Sequence, residues 1–221
     1  MSGHLALVGG GEFTEGCTFD ADLLAAGGGT EVVLLPTAAA FENPARLVAA
    51  ASRWFAALGA SVVELPVYGR DDAADPAHVA TARAARFLYL VGGSPLHLRS
   101  VLKETPVWRA VRDAWDGGAS VAGAGECASA LCDPMVDPRG GAFTMGLGLV
   151  AGVAVLPHAG PDVAAHDRRT LELARGGLVL ATVPDASALV RDEQGGWRAA
   201  GAGPVRLFVD GAERDIGALT V

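Results

Sequence analysis

The chain has 221 residues, 51% of them hydrophobic and 19% charged, a length and balance that suit one globular domain with a sizeable core. The formal net charge of −8 argues against nucleic acid or an anionic membrane surface as a partner. Three cysteines, Cys17, Cys127 and Cys132, form no CxxC pair and are too few for a disulfide framework, so neither a structural metal nor a disulfide scaffold is expected.

Met1-Ser2-Gly3-His4 leads straight into an apolar strand with no basic leader region, and no apolar run approaches the roughly 18 residues of a membrane span. A cytoplasmic location is expected. Leu5 to Val8 reads as a short strand closed by Gly9-Gly10-Gly11, and Glu31 to Pro36 as a second strand. Asn43 to Leu58 carries apolar residues at helical spacing, with Asn43-Pro44 as cap and first turn and Gly59 as stop. Ser61 to Val67 is a strand, Pro76 to Ala85 a helix, and Phe87 to Gly93 a strand opening on a glycine pair. Ser94 to Leu102 and Pro106 to Trp115 are helical, and Ala119 to Gly123 is again strand. This alternation with short connections predicts a mostly parallel sheet covered by helices on both faces. Ligands then bind beyond the carboxyl ends of the strands, where Gly10-Gly11, Gly92-Gly93 and the turn near Gly125 all fall.

Asp133 to Gly141 reads as a loop from its Pro and Gly content, "LVAGVAVLPHAG" as strand, Ala164 to Ala174 as helix and "LVLATVP" as strand. The last 26 residues look like short antiparallel strands turning at Asp210-Gly211. No repeat or linker interrupts the chain, so residues 1–221 form one domain.

Gly9-Gly10-Gly11-Glu12 follows a first strand but is not GxGxxG, and GxxxxGK[ST] is absent; no nucleotide or other cofactor is expected. Gly92-Gly93-Ser94-Pro95 is either a plain turn into a helix or a turn whose amides stabilise an oxyanion. His158 ends a strand, where it is free to act as general base or simply lies at the surface. His4, His78, His97 and His166 have weaker claims, lying at the terminus or on helices. Asp185 follows a strand and is placed either to orient a histidine or to solvate a turn. In "VAGAGECASALC", residues 121–132, an apolar run meets two glycines and turns at once into helix formers. A strand that presents a nucleophile ends in this way, but no serine stands at the expected place.

Together "VGGGEF" at 8–13, "LLPTAAA" at 34–40, "YLVGGSPLHL" at 89–98, the elbow, "GLGLVAGVAVLPHAG" at 146–160 and "VPDASALV" at 183–190 resemble peptidase family S51. That family includes cyanophycinase and the aspartyl dipeptidase peptidase E. The resemblance covers nearly the whole chain. It implies the class I glutamine amidotransferase-like fold, a three-layer α/β/α sandwich with a nucleophile elbow. It also implies a serine nucleophile in a "G-[TS]-S-A-G-A" elbow, with His158 as base and Asp185 as third member. Gly92 or Gly93 would supply an oxyanion-hole amide, and the residue after the nucleophile a second.

The elbow departs from that pattern. With no gap, Gly125 occupies the nucleophile position and Glu126 the position after it. A glycine has no side chain to attack with. Sliding by two residues gives an elbow G-x-C-x-S with Cys127 as nucleophile, favoured by a helix N-terminus and by His158. That register needs a two-residue insertion and puts Ser129 where the elbow wants glycine. The ungapped register implies a diverged member with lost or altered hydrolase activity. The other implies a cysteine-dependent amidase or peptidase using Cys127, His158 and Asp185 on small aspartyl peptides or amides. The family's acidic substrates imply positive charge in the crevice. Arg139, Arg168 and Arg169 are the candidates, each equally readable as a solvated surface arginine. The expected partner is a small peptide or amide ligand, and the family fold also permits a homodimer.

Overall fold

The computed structural model describes residues 2–160 and 165–219. In chain order the elements are β1 (Leu5–Val8), α1 (Phe19–Gly27), β2 (Glu31–Leu35), α2 (Pro44–Ala57), β3 (Ser61–Glu64), α3 (Pro76–Ala84), β4 (Phe87–Leu90), α4 (Pro95–Leu102), α5 (Pro106–Asp116), β5 (Ser120–Ala124) and α6 (Glu126–Leu131). They continue with β6 (Cys132–Asp133), β7 (Met135–Val136), β8 (Phe143–Thr144), β9 (Val150–Ala151), β10 (Val153–Leu156), α7 (Ala165–Leu173), β11 (Val179–Thr182), β12 (Ser187–Arg191), β13 (Trp197–Gly201), β14 (Arg206–Val209) and β15 (Ala212–Arg214). Ala164, the expected start of α7, and Thr220-Val221 at the chain end lie outside the described residues.

Helices begin where the sequence provides caps. The side chains of Asn43, Asp75, Ser94 and Thr105 each accept a backbone N–H of the first turn, and a proline follows each of them. Strands β1, β5, β4, β2 and β3 are mutually parallel within a seven-stranded sheet of order β13-β12-β1-β5-β4-β2-β3. β12 and β13 extend it antiparallel beyond β1.

Side chains alternate across this sheet and sort into two cores. Leu5, Leu7, Leu88 and Leu90 join Leu98, Val107, Val111 and Leu131 of α4, α5 and α6 on one face. Ala6, Val8, Phe87 and Tyr89 join Phe19 and Leu23 of α1 and Phe55 of α2 on the other. The result is a three-layer α/β/α arrangement with a mostly parallel sheet. Among the described residues, no helix is long and apolar enough to cross a membrane.

Three features differ from expectation. The strands after the elbow do not all join one sheet: β10, β11, β14 and β15 form a second, four-stranded sheet. The segment 133–141, expected as loop, contains β7 paired with β8, and its first residue ends β6, paired with β9. "ASALV" yields β12, which lies against β1 and returns the chain to the first sheet. The Asp210-Gly211 turn forms as expected. Val209 pairs with Ala212, and φ of 51° and 82° at the two turn residues mark a type I′ hairpin.

Candidate active site

The crevice lies where β1, β4 and β5 end. β1 runs into Gly9-Gly10-Gly11, and this turn is tied to two other loops. The His158 N–H donates to Gly9 O at 2.6 Å, and the Ala186 N–H donates to Gly10 O at 2.7 Å. A third bond, Ala159 N–H to Val183 O at 3.1 Å, ties those two loops to each other. The loops after β10 and β11 are thus held side by side on the glycine turn. Each contains a residue forced into left-handed backbone, His158 at φ 54° and Ala186 at φ 53°. Such conformations cost about 1–3 kcal/mol each and persist only where the surroundings over-determine them.

The outcome is a His158–Asp185 pair, with Nδ1 2.7 Å from the Asp185 carboxylate and the two side chains 52% and 63% exposed. A carboxylate on Nδ1 fixes the proton there and leaves Nε2 as the basic nitrogen. Gly10 makes this geometry possible. A Cβ on it would lie 2.2 Å from His158 Cε1 and 2.6 Å from Asp185 Oδ1. The glycine turn that failed as a dinucleotide motif is the floor under the pair.

Gly125 joins β5 to α6 with φ 55° and ψ −126°, a conformation open to glycine and strained for other residues. Its N–H donates to Val8 O at 2.9 Å. An ideal Cβ built on Gly125 would lie 3.1 Å from His158 Nε2. Three pieces of sequence remote from one another, at 125, 158 and 185, therefore converge.

Cys127 is the second residue of α6, fully buried, with its thiol donating to Gly92 O at 3.5 Å. Burial, and then the charges of Glu12, Glu126 and Glu42, push that thiol well above its ordinary range. Cys132 is buried likewise and pushed up by the same primary cause. Gly92 has φ 119°, and a Cβ there would lie 2.3 Å from Ala39 N, so only glycine fits against the turn at residues 37–39. A Cβ on Gly93 would come within 2.8 Å of the Glu42 carboxylate. The Cys127 bond to Gly92 O places this turn beside the elbow helix, and Glu126 opens that helix as its first residue.

The three arginines do not gather at the pair. Arg139, in the β7–β8 hairpin, is held by Asp137 through Nε at 2.9 Å and Nη2 at 2.6 Å. The same contact lowers the Asp137 carboxyl to about 2. Arg169 approaches that turn as well, its Nη1 3.6 Å from where a Cβ on Gly140 would stand. Arg168 is exposed on α7. No contact joins any of the three to His158, Asp185 or Gly125 among the described residues.

Glu12 and Glu42, for which the sequence offered no signal, lie near enough to Cys127 to oppose its thiolate. With Phe13, Asn43, Arg46, Leu47 and Ala50 they line a cavity of about 440 Å³. A second cavity, about 340 Å³, is lined by Ala159, Gly160 and Pro184, chain neighbours of the pair, together with Thr182, Pro204 and Phe208. No group of three or more His, Cys, Asp or Glu placed to hold a metal ion occurs among the described residues.

Comparison with known proteins agrees with this fold. A peptidase from an acI-B1 Actinobacterium is 27% identical and superposes with a TM-score of 0.86, over 97% of this chain and 93% of that one. A putative peptidase E protein from Listeria monocytogenes EGD-e is 16% identical, with a TM-score of 0.70 over 92% of this chain and 100% of that one. The second likeness is one of fold. Comparison with the curated proteins gives no match. The profile of peptidase family S51 matches residues 5–194, most of the chain including the elbow, His158 and Asp185, and the chain belongs to that family.

Proposed function

We propose that this protein is a diverged S51 member whose nucleophile position is Gly125, so that it forms no acyl-enzyme there and binds a small peptide or amide in the crevice. One observation carries the reading. The strand-to-helix turn falls at Gly125, and the side chain that glycine lacks would point at His158 Nε2 from 3.1 Å. A serine at that position would be within reach of the base, as acyl transfer requires. The rest of the site, His158 on Asp185 and the Gly92-Gly93 turn beside the elbow, is assembled around it.

Cys127 is the other candidate nucleophile. A reactive cysteine is partly exposed and has a depressed pKa. Cys127 is fully buried, and burial together with three nearby carboxylates opposes its thiolate. These observations favour Gly125. Glu12, Glu42 and Glu126 also bear on the ligand. Carboxylates around the crevice favour a neutral or cationic group over the acidic group that the family's substrates carry.

A fluorophosphonate probe tests the reading, because it labels only an activated nucleophile. The wild-type protein should remain unlabelled. Gly125→Ser should be labelled at residue 125, and the additional change His158→Asn should abolish that labelling. Iodoacetamide at neutral pH should leave Cys127 unmodified while the protein is folded. Rapid alkylation of Cys127, or a labelled Cys127 in the wild type, would transfer the nucleophile's role to the cysteine.

A further inference from the structure

The His158–Asp185 pair is complete without a serine, and this raises the question of what its basic nitrogen faces. Nδ1 is engaged by Asp185 at 2.7 Å. The imidazole is half-exposed, so solvent reaches it. Nε2 borders the space off the Gly125 Cα, 3.1 Å from the point where a Cβ would stand. A serine CH₂OH in that space is comparable in size to one water, whose share of liquid volume is about 30 Å³. A water standing off the Gly125 Cα at van der Waals distance could approach Nε2 to the roughly 2.7–3.2 Å of a hydrogen bond, because no side chain at 125 occupies the space between them. The imidazole is held from its backbone as well, since the left-handed residue at 158 is pinned by the Gly9 carbonyl.

We propose that the protein hydrolyses activated acyl compounds without an acyl-enzyme, with His158 deprotonating a water that attacks the carbonyl directly. The proposal rests on the reading of Gly125 given above. As the water oxygen bonds to the acyl carbon, its proton passes to Nε2, and Asp185 stabilises the imidazolium. The carbonyl oxygen becomes the oxyanion, on the side of the Gly92-Gly93 turn. When it collapses, the bond to the leaving group breaks, and the proton on Nε2 goes to the departing oxygen. Water and ester are consumed, acid and alcohol are formed, and His158 returns to its neutral state. No covalent bond to the protein forms.

The same geometry limits the substrates. Glu12, Glu42 and Glu126 all lie close enough to Cys127, beside the elbow, to disfavour its negative charge. Glu42 also stands at the Gly92-Gly93 turn, its carboxylate 2.8 Å from where a Cβ on Gly93 would be, so an oxyanion on that side is weakly stabilised. The acyl group must then carry a good leaving group. Aryl esters fit this requirement, and unactivated peptides do not.

The test uses p-nitrophenyl acetate with pre-steady-state kinetics and intact-mass analysis after acid quench. The wild-type protein should release nitrophenol above the buffer rate with no burst and no +42 Da adduct. His158→Asn should lower the protein-dependent rate by about 100-fold, the size of a general-base contribution. Asparagine is chosen because it tolerates the left-handed backbone at 158. Asp185→Asn, an independent variant, should lower the rate at least about tenfold through the wrong tautomer. Gly125→Ser should convert the time course to a burst with a stable or slowly lost adduct. Three results overturn the inference: no protein-dependent rate, a rate that His158→Asn leaves unaltered, or an acetyl adduct on the wild type. If that adduct sits on Cys127, the reading of Gly125 falls too. Otherwise Gly125 keeps its assignment, and only the water mechanism is lost.

Discussion

Gly10 shows how much a site can depend on a residue that contributes no functional group. Its missing Cβ leaves room for both members of the pair, with contacts of 2.2 and 2.6 Å if one were added. Gly10→Ala should push the exposed imidazole aside rather than unfold the protein, because the end of a side chain moves more easily than backbone. The strongly deshielded Nδ1 proton of the His158–Asp185 hydrogen bond should be visible by NMR in the wild type and absent in Gly10→Ala. His158 and Asp185 stand out in the sequence through the resemblance to the S51 pattern, since a strand-end position alone left each equally readable as a surface or turn residue. The sequence left Gly10, Glu12 and Glu42 illegible as site residues because their roles arise from contacts between remote segments.

A second residue-scale consequence concerns Asp20. It is fully buried, accepts from Trp54 Nε1 at 2.9 Å, and has its other carboxylate oxygen without a partner. Burial, and less so the charge of Glu12, raises its pKa to about 7. Between roughly pH 4 and pH 7 the folded state then holds a proton that the unfolded chain has released. Stability therefore falls as pH rises through that window, by about 1.4 kcal/mol for each pH unit crossed, and is level above it. Asp20→Asn keeps an acceptor for Trp54 and removes the proton. Urea titrations should show the stability of the variant relative to wild type increasing by a few kcal/mol between about pH 4 and pH 8. A difference independent of pH would contradict this account.

At the scale of elements, legibility followed the strength of local signals. α2 has an amphipathic face, a capping asparagine and a proline at its first turn, and it forms where the pattern places it. Asn43→Ala should cost about 1 kcal/mol, read as a lowered Tm, while leaving the fold intact. α1 went unread because its apolar residues barely segregate to one face. Asp20 and Gly27 are buried with Phe19 and Leu23, so helical period alone does not announce it. β12, five residues long like β2, was hidden by the Asp185 turn before it. The β7–β8 and β6–β9 pairings are two residues long each, shorter than any alternation can reveal. The hairpin at Asp210-Gly211 was legible because a type I′ turn requires two positive φ angles, and Asp-Gly supplies them cheaply.

At the scale of the whole molecule, the family pattern spans both sheets, although chemistry and scaffold separate along the chain. β1, β4 and β5 of the seven-stranded sheet deliver Gly10, Gly92 and Gly125, whereas β10 and β11 of the four-stranded sheet deliver His158 and Asp185. Division of the later strands into a second sheet could not be read from alternation, because strand pairing is a property of remote neighbours.

The two sheets share one hydrophobic core, which joins Leu5, Leu7 and Leu189 of the first to Val153, Val155 and Ala181 of the second, and backbone bonds tie them at the site. The His158 N–H bond to Gly9 O and the Ala186 N–H bond to Gly10 O join loops of one to the end of β1 in the other. Breaking them means parting the two sheets, which is an event of large scale. In deuterated solvent, the amide protons of His158 and Ala186 should therefore exchange as slowly as those of the central strands, although both belong to loops and the His158 side chain is half in water. A loop whose clock runs at the rate of the core would mark the candidate site as one of the last parts of this protein to open.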